Sequence, residues 1–178
     1  MKGWPARLGK TPRQTGVSAK TKDNSAAMDD QQASLEYFSE QQCASQWRGF
    51  LSALAGEFTE QLPAEDLRAL WRRIGKRFAA ATPLGDCQTL DDLEAAINRI
   101  WAQLNWGWIR IDDQGDALAI RHHCAPLRAA FGAQALPWSA GYLEGAYQSW
   151  FSSLGIDPGL HIRQAPEVLD ALEFRLAR

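Results

Sequence analysis

The sequence predicts an α+β domain in which about four to five helices pack on a four-stranded antiparallel sheet. Three observations predict it. Apolar residues recur at three- and four-residue spacing in several long stretches, the signature of helices with one buried face. A central segment, Trp106–Arg121, alternates with period two on either side of a polar loop, as a hairpin does. Two further alternating stretches, Leu160–Gln164 and Leu172–Leu176, supply the remaining strands.

Composition sets the frame for these elements. Apolar residues make up 46% of the 178, with eight Trp, which is ample for one core. A net charge of −2 argues against general nucleic-acid binding. Cys43, Cys87 and Cys124 are odd in number and far apart, which suits neither a disulfide framework nor a zinc site, and they read as reduced thiols. Residues 1–33 carry Lys2, Arg7, Lys10, Arg13, Lys20 and Lys22, no acid before Asp23, and few large apolar side chains. Such a segment buries too little surface to offset its ordering entropy and is expected to be a disordered basic tail, ahead of a single domain over 34–178. It is either a passive tail or an arm that settles on an acidic partner or an anionic lipid surface. With no apolar run fit for a secretory signal or a membrane span, the sequence reads as a soluble, cytoplasmic protein.

The first helical stretch places Leu35, Phe38, Trp47, Phe50, Leu51, Leu54 and Phe58 mostly on one stripe, with a break near Cys43–Ser45. The second opens on Pro63, with Glu65 and Asp66 in its first turn, and carries Leu67, Leu70, Trp71, Ile74 and Phe78 as one apolar face. Its other side bears Arg68, Arg72, Arg73, Lys76 and Arg77, either a solvated face or a patch for an acidic partner. Thr89 with Asp92 forms a capping box for a third helix, in which Leu90, Leu93, Ile97, Ile100, Trp101 and Leu104 repeat at three and four. That helix runs almost directly into Trp106, so it must pack near its own hairpin.

Within the hairpin, alternation sets Gly107, Ile109 and Ile111 on one side and Trp106, Trp108 and Arg110 on the other. Both faces then carry bulk, and the sheet needs cover from helices on one side and from another copy or partner on the other. His122 and His123 follow, but adjacent strand residues point to opposite faces, which argues against a shared metal. Pro126–Pro137 reads as irregular or a short helical turn with Phe131 as an anchor. A last helix starts near Pro137 or Trp138 and carries Tyr142, Leu143, Ala146, Tyr147, Trp150, Phe151 and Leu154. Gly141 and Gly145 lie four apart on it, each weakening the helix by about 1 kcal/mol. Close approach of another backbone would compensate, which makes Gly141, Gly145 and Tyr142 candidate interface residues. Glu144, in so apolar a helix, is either a buried general acid or a hydrogen-bonded structural carboxylate, and no second acid is placed with it.

No phosphate-binding glycine loop, nucleophile elbow, metal-ligand spacing or obvious acid pair is present, so the residues point to no cofactor and no metal and stop at a soluble, Trp-rich, oligomeric α+β domain; an enzyme such as a glycan hydrolase would have to rest on Glu144 alone. Three stretches are more specific. Cys87-Gln-Thr-Leu-Asp-Asp-Leu93, the junction Leu104-Asn-Trp-Gly107, and Trp138-Ser-Ala-Gly-Tyr-Leu-Glu-Gly-Ala-Tyr147 followed by Trp150 resemble the D-subunit family of bacterial cellulose synthase. The resemblance runs from about Trp47 to Gln164, with the long basic N-terminus and Ala146 as departures.

The resemblance implies a non-catalytic accessory subunit that forms a cylindrical homo-octamer, a tetramer of dimers, and promotes ordered arrangement of synthase complexes and crystalline cellulose. It implies as partners other copies of the chain, other cellulose synthase subunits, a proline-rich scaffold protein and a glucan chain held in internal passageways. Two settings follow from it: a cytoplasmic scaffold, favoured by the lack of a signal, or a periplasmic conduit for glucan export. Trp106 and Trp108, two strand positions or roughly 6.6–6.8 Å apart, would suit a sugar platform. They would equally suit contact between subunits or a proline-rich peptide groove, and Arg110 beside them shares that assignment.

Overall fold

The computed structural model describes residues 37, 38, 41, 43–165 and 171–178; the basic segment 1–33 and Leu35 lie outside them. The order of elements is α1 (Ser45–Gln61), α2 (Ala64–Ala81), α3 (Leu90–Leu104), β1 (Trp108–Asp113), β2 (Leu118–His123), α4 (Leu127–Phe131), a 3-10 turn (Ala133–Ala135), α5 (Leu136–Ser139), α6 (Gly141–Ser153), β3 (His161–Gln164) and β4 (Ala171–Ala177). The strands form one antiparallel sheet in the order β1-β2-β4-β3, so the chain is α+β with a four-stranded antiparallel sheet. The last helix is divided: α5 ends at Ser139 and α6 starts at Gly141, with Ala140 still helical between them.

Local chemistry accounts for the helix ends. The Thr89 hydroxyl accepts from the Asp92 N–H at 3.1 Å, and the Asp92 carboxylate accepts from the Thr89 N–H at 3.0 Å, which is the anticipated capping box. At the other end of α3, Asn105 adopts the left-handed conformation and the Trp106 N–H donates back to Trp101 O at 2.9 Å. Gly107 then takes φ +79°, with its α-carbon so close to the His123 carbonyl that a side chain would collide.

This turn corrects the predicted alternation. Strand β1 begins at Trp108, and the left-handed Gly107 separates the two indoles. Trp106 turns inward, stacked on Trp101 at 5.5 Å and 16° and set against Tyr142 at 5.1 Å. Trp108 points outward, 45% exposed and stacked on His123 at 5.2 Å and 15°. The two do not form one platform.

The sheet's inner face, with Ile109, Ile120, Phe174 and Leu176 buried, packs on α6 through contacts such as Tyr147 against Phe174 at 5.5 Å. Its outer face is polar rather than apolar: Arg121 bridges Asp112 at 2.8 Å and Glu173 at 3.3 Å across three strands. Trp101, fully buried, is the centre of the core and touches the rings of Phe78, Trp106, His122, Tyr147 and Trp150.

Helices α2 and α6 cross at contact distance. A Cβ on Gly75 would run into Tyr142 O, one on Gly145 into Arg72 O, and one on Gly141 would lie 2.8 Å from Arg68 O. Gly141, Gly145 and the 9%-exposed Tyr142 are therefore covered by α2 of the same chain, not left free for a second copy. Because Gly75 is the point of closest approach, the buried residues of α2 are Leu67, Gly75 and Ala79, with Trp71 half-buried on the same line, and Ile74, one residue from Gly75 and about 100° away, is 39% exposed instead of core. On α1 the expected stripe is also only half used. Ala55 is its buried residue, Leu51, Leu54 and Phe58 are half-buried, and Trp47 and Phe50 stand 55% and 59% exposed.

Both sheet edges are closed by side chains four residues apart on a helix. On β1, Asn98 accepts from the Ile109 N–H at 2.6 Å and donates to its carbonyl at 3.1 Å, while Glu94 accepts from the Ile111 N–H at 2.7 Å. On β3, Gln148 accepts from the Ile162 N–H and Glu144 from the Gln164 N–H, each at 2.7 Å. Exposed edges invite pairing with other chains, and these four side chains remove that option at the positions they occupy.

The glycine seam gives a paired expectation. Gly145→Ala forces α2 and α6 apart and should destabilise the fold by about 2–3 kcal/mol. Gly49→Ala, where a Cβ meets nothing within 4 Å, should be neutral or stabilising by up to about 1 kcal/mol. Urea unfolding of the two variants checks this; equal midpoints would contradict the seam.

Candidate functional site

The charged groups converge where α2, α6 and β3 meet. Glu144 is 1% exposed and receives four donors: Arg68 Nε at 3.2 Å and Arg68 Nη2, Arg72 Nε at 2.6 Å, and the Gln164 N–H. Arg68 also donates to the Pro137 carbonyl and, at 3.2 Å, to the Gln164 side chain. Burial alone would raise the Glu144 carboxyl, but the two arginines and the β3 amide outweigh it and hold the group below its ordinary 4.5. A carboxylate so fully engaged and ionised has no proton to donate, so of the two readings the structural one applies.

The predicted basic patch thus divides. Arg68 and Arg72 face Glu144 rather than solvent alone, with side chains 20% and 46% exposed. Arg73, Lys76 and Arg77 are exposed, and none is in an ion pair among the described residues. The reason is position: Arg68 and Arg72 lie one turn apart beside the line that meets α6, and Arg73 and Arg77 lie farther round the helix.

Two clefts flank the Arg72–Glu144 pair. One, of about 790 Å³, is lined by Glu65, Arg68, Arg72, Arg128, Pro137 and Gln164 among others. The other, of about 520 Å³, is lined by Arg72, Arg73, Lys76, Glu144, Gln148, Ser149, Ser152, His161 and Arg163 among others. Arg128 and Arg163 were not legible as site residues in sequence, since the fold alone brings α4 and β3 beside α2; Arg77 lines neither cleft.

The other sequence candidates stand elsewhere. Arg110 is exposed on the outer sheet face and pairs with Glu94 at 2.8 Å. Trp108 lies on the same strand, flat on His123. His122, its neighbour on β2, points the other way into the core, where the Tyr147 hydroxyl lies 2.6 Å from Nδ1 and the Trp106 carbonyl 2.6 Å from Nε2. Burial drives the His122 pKa down to about 4, opposed by its bond to Trp106 and helped by the charge of His123. The neutral ring is consistent with Nε2–H donating to Trp106 and Nδ1 accepting from Tyr147. Cys43, Cys87 and Cys124 form no disulfide with one another.

As a class, then, this is a helix-covered antiparallel sheet whose buried ionisable groups are committed to packing. Its fold is shared with a trafficking protein particle complex subunit 3 from Naegleria fowleri, at a TM-score of 0.51 and 12% identity, over 80% of this chain and 95% of that one. The sequence comparison is more specific. The model of the family described as the D subunit of cellulose synthase matches residues 33–177, and the chain belongs to that family. Proteins named cellulose synthase operon protein D from Komagataeibacter xylinus and Komagataeibacter sucrofermentans are each 32% identical over 106 residues, 58% of this chain and 68% of theirs. A further Komagataeibacter xylinus protein of that name is 29% identical over the same length.

His122 and Glu144 predict separate acid transitions. His122 has a folded value below its ordinary 6.5, so its contribution is complete above 6.5 and is lost as pH falls toward about 4; the loss amounts to about 3 kcal/mol. Glu144 is likewise depressed, so its contribution holds above 4.5 and fades only below that. Urea midpoints measured between pH 7 and 4.5 should fall for the natural chain and stay nearly level for His122→Gln. Glu144→Gln should lower stability near neutral pH by about 2–4 kcal/mol, less than a fully enclosed pair because Arg72 is half exposed. A level profile in the natural chain would refute the His122 assignment.

Proposed function

We propose that the chain is a non-catalytic scaffold subunit of bacterial cellulose synthase that assembles with itself into a ring-like homo-octamer, a tetramer of dimers. In this reading the ring works on the cytoplasmic side, with other synthase subunits and a proline-rich scaffold protein as partners, and promotes ordered packing of synthase complexes and crystalline cellulose. Family membership supports the setting. The observation that carries self-association is α1, a helix of 17 residues with one buried side chain and with Trp47 and Phe50 in the open. Large apolar groups exposed together mark a surface that meets another protein. Leu62, between α1 and α2, and Ile74, within α2, are 40% and 39% exposed and add apolar surface of the same kind. Assembly through helix faces also agrees with sheet edges occupied by Glu94, Asn98, Glu144 and Gln148.

A second reading is direct glucan contact, and the observation that favours it is Trp108. Its ring is exposed and braced flat by His123, a surface on which the apolar face of a glucose ring can stack. Of the two hairpin indoles only Trp108 is placed this way, so the contact would be a single stacking site rather than the two-indole platform.

Light scattering on the purified full chain should return the mass of an octamer. The double substitution Trp47→Glu with Phe50→Glu should reduce that mass to a smaller species with an unchanged far-ultraviolet circular dichroism spectrum. A monomer in the natural chain, or an undiminished mass in the variant, would sink the α1 interface. Cello-oligosaccharide titration decides the second reading: binding that disappears in Trp108→Ala at constant mass supports it, and absence of binding removes it.

A further inference from the structure

Two cation-rich clefts flank the Arg72–Glu144 pair and share Arg72 in their linings, a positively charged track in two parts. Among the described residues its cations are Arg68, Arg72, Arg73, Lys76, Arg128 and Arg163, against the carboxylates of Glu65 and Glu144, in a chain whose formal net charge is −2. Glu144 is matched by Arg68 and Arg72. Arg73, Lys76 and Arg163 are exposed and enter no ion pair among the described residues. Like charges gathered without internal partners weaken a fold, and a bound anion relieves that repulsion.

The chemistry of the lining narrows the anion. Between the cations stand the Ser149 and Ser152 hydroxyls, which suit polar groups. Among the described residues no Trp, Tyr or Phe lines either cleft, so the track shows none of the stacking surfaces that single-stranded nucleic acids use. A neutral glucan has no need of the charges. Clefts of about 790 and 520 Å³ on two sides of one ion pair exceed what a lone phosphate fills, and a recessed track does not suit a flat lipid surface. The N–H groups of Ile162 and Gln164 on β3 already donate to Gln148 and Glu144, so an incoming chain is held by its side chains and not by joining the sheet there.

We propose that this track docks an acidic peptide segment of another protein, with Arg73, Lys76 and Arg163 gripping its carboxylates. The surface is separate from the α1 face and does not depend on self-association. Charge-assisted bonds of this type are individually strong and salt-sensitive.

The probe is a fluorescein-labelled oligoglutamate peptide, titrated with the full chain and read by fluorescence anisotropy. Saturable binding at low salt that weakens at physiological salt is expected. Arg73→Glu with Lys76→Glu, and separately Arg163→Glu, should each weaken it on the order of tenfold. Arg77→Glu, on the same helix but outside the clefts, should leave it unchanged. Arg163→Gln, which removes the charge without reversing it, should give a smaller loss and serves if a reversal fails to fold. Native mass measured alongside keeps this result apart from the oligomer question. Absence of saturable binding overturns the proposal, as does an equal loss in Arg77→Glu. Tighter binding to phosphatidylglycerol vesicles, to inorganic phosphate or to single-stranded DNA than to oligoglutamate also overturns it.

Discussion

The close crossing of α2 and α6 is the constraint on which the rest of this structure depends. Two backbones can approach this nearly only where side chains are missing, and Gly75, Gly141 and Gly145 remove them at the contact line. Once the helices are that near, Arg68 and Arg72 on α2 come within reach of Glu144 on α6, and the buried carboxylate gains the donors that make its burial tolerable. The same geometry turns Ile74 outward and leaves Arg73 and Lys76 on the rim of a cleft. A single steric condition thus sets the interior ion cluster and the character of the adjoining surface.

A second regularity concerns the sheet. Each edge strand is finished by a pair of polar side chains spaced four apart on a neighbouring helix, Glu94 and Asn98 on one side, Glu144 and Gln148 on the other. That spacing places two acceptors on one helix face, and alternate N–H groups of a strand point the same way, so the two periods match. Glu144 serves both the seam and the edge, which couples helix packing to the end of the sheet. With the middle of the outer sheet face occupied by the Asp112–Arg121–Glu173 bridge, the large apolar groups still open to partners include Trp47 and Phe50 on α1, Leu62 and Ile74 near it, Leu104 at the end of α3, and Trp108.

Much of this was legible in the sequence. Period three and four marked α2, α3 and α6, period two marked the hairpin, and Thr89 with Asp92 marked the start of α3, because these signals are local: they depend on residues within a turn of one another. The glycine pair at 141 and 145 pointed to a close backbone, and the opposed directions of His122 and His123 followed from strand geometry alone. The failures were local as well. One left-handed glycine, Gly107, broke the alternation and sent Trp106 into the core, away from Trp108. Helical periodicity gave α1 its apolar stripe but not what covers it.

The sequence by itself determined the class of fold, the order of its elements and, through three short stretches, the family, since hydrophobic period, caps and motifs are all written along the chain. Only the tertiary structure decided which backbone the glycines meet, which arginines are drawn to Glu144 and which remain open, and that Arg163 joins Arg73 and Lys76 around one cleft while Arg128 lines the other. Those outcomes rest on contacts between residues far apart in the chain. Such contacts are selected by packing of whole elements, and no local pattern of residues records them.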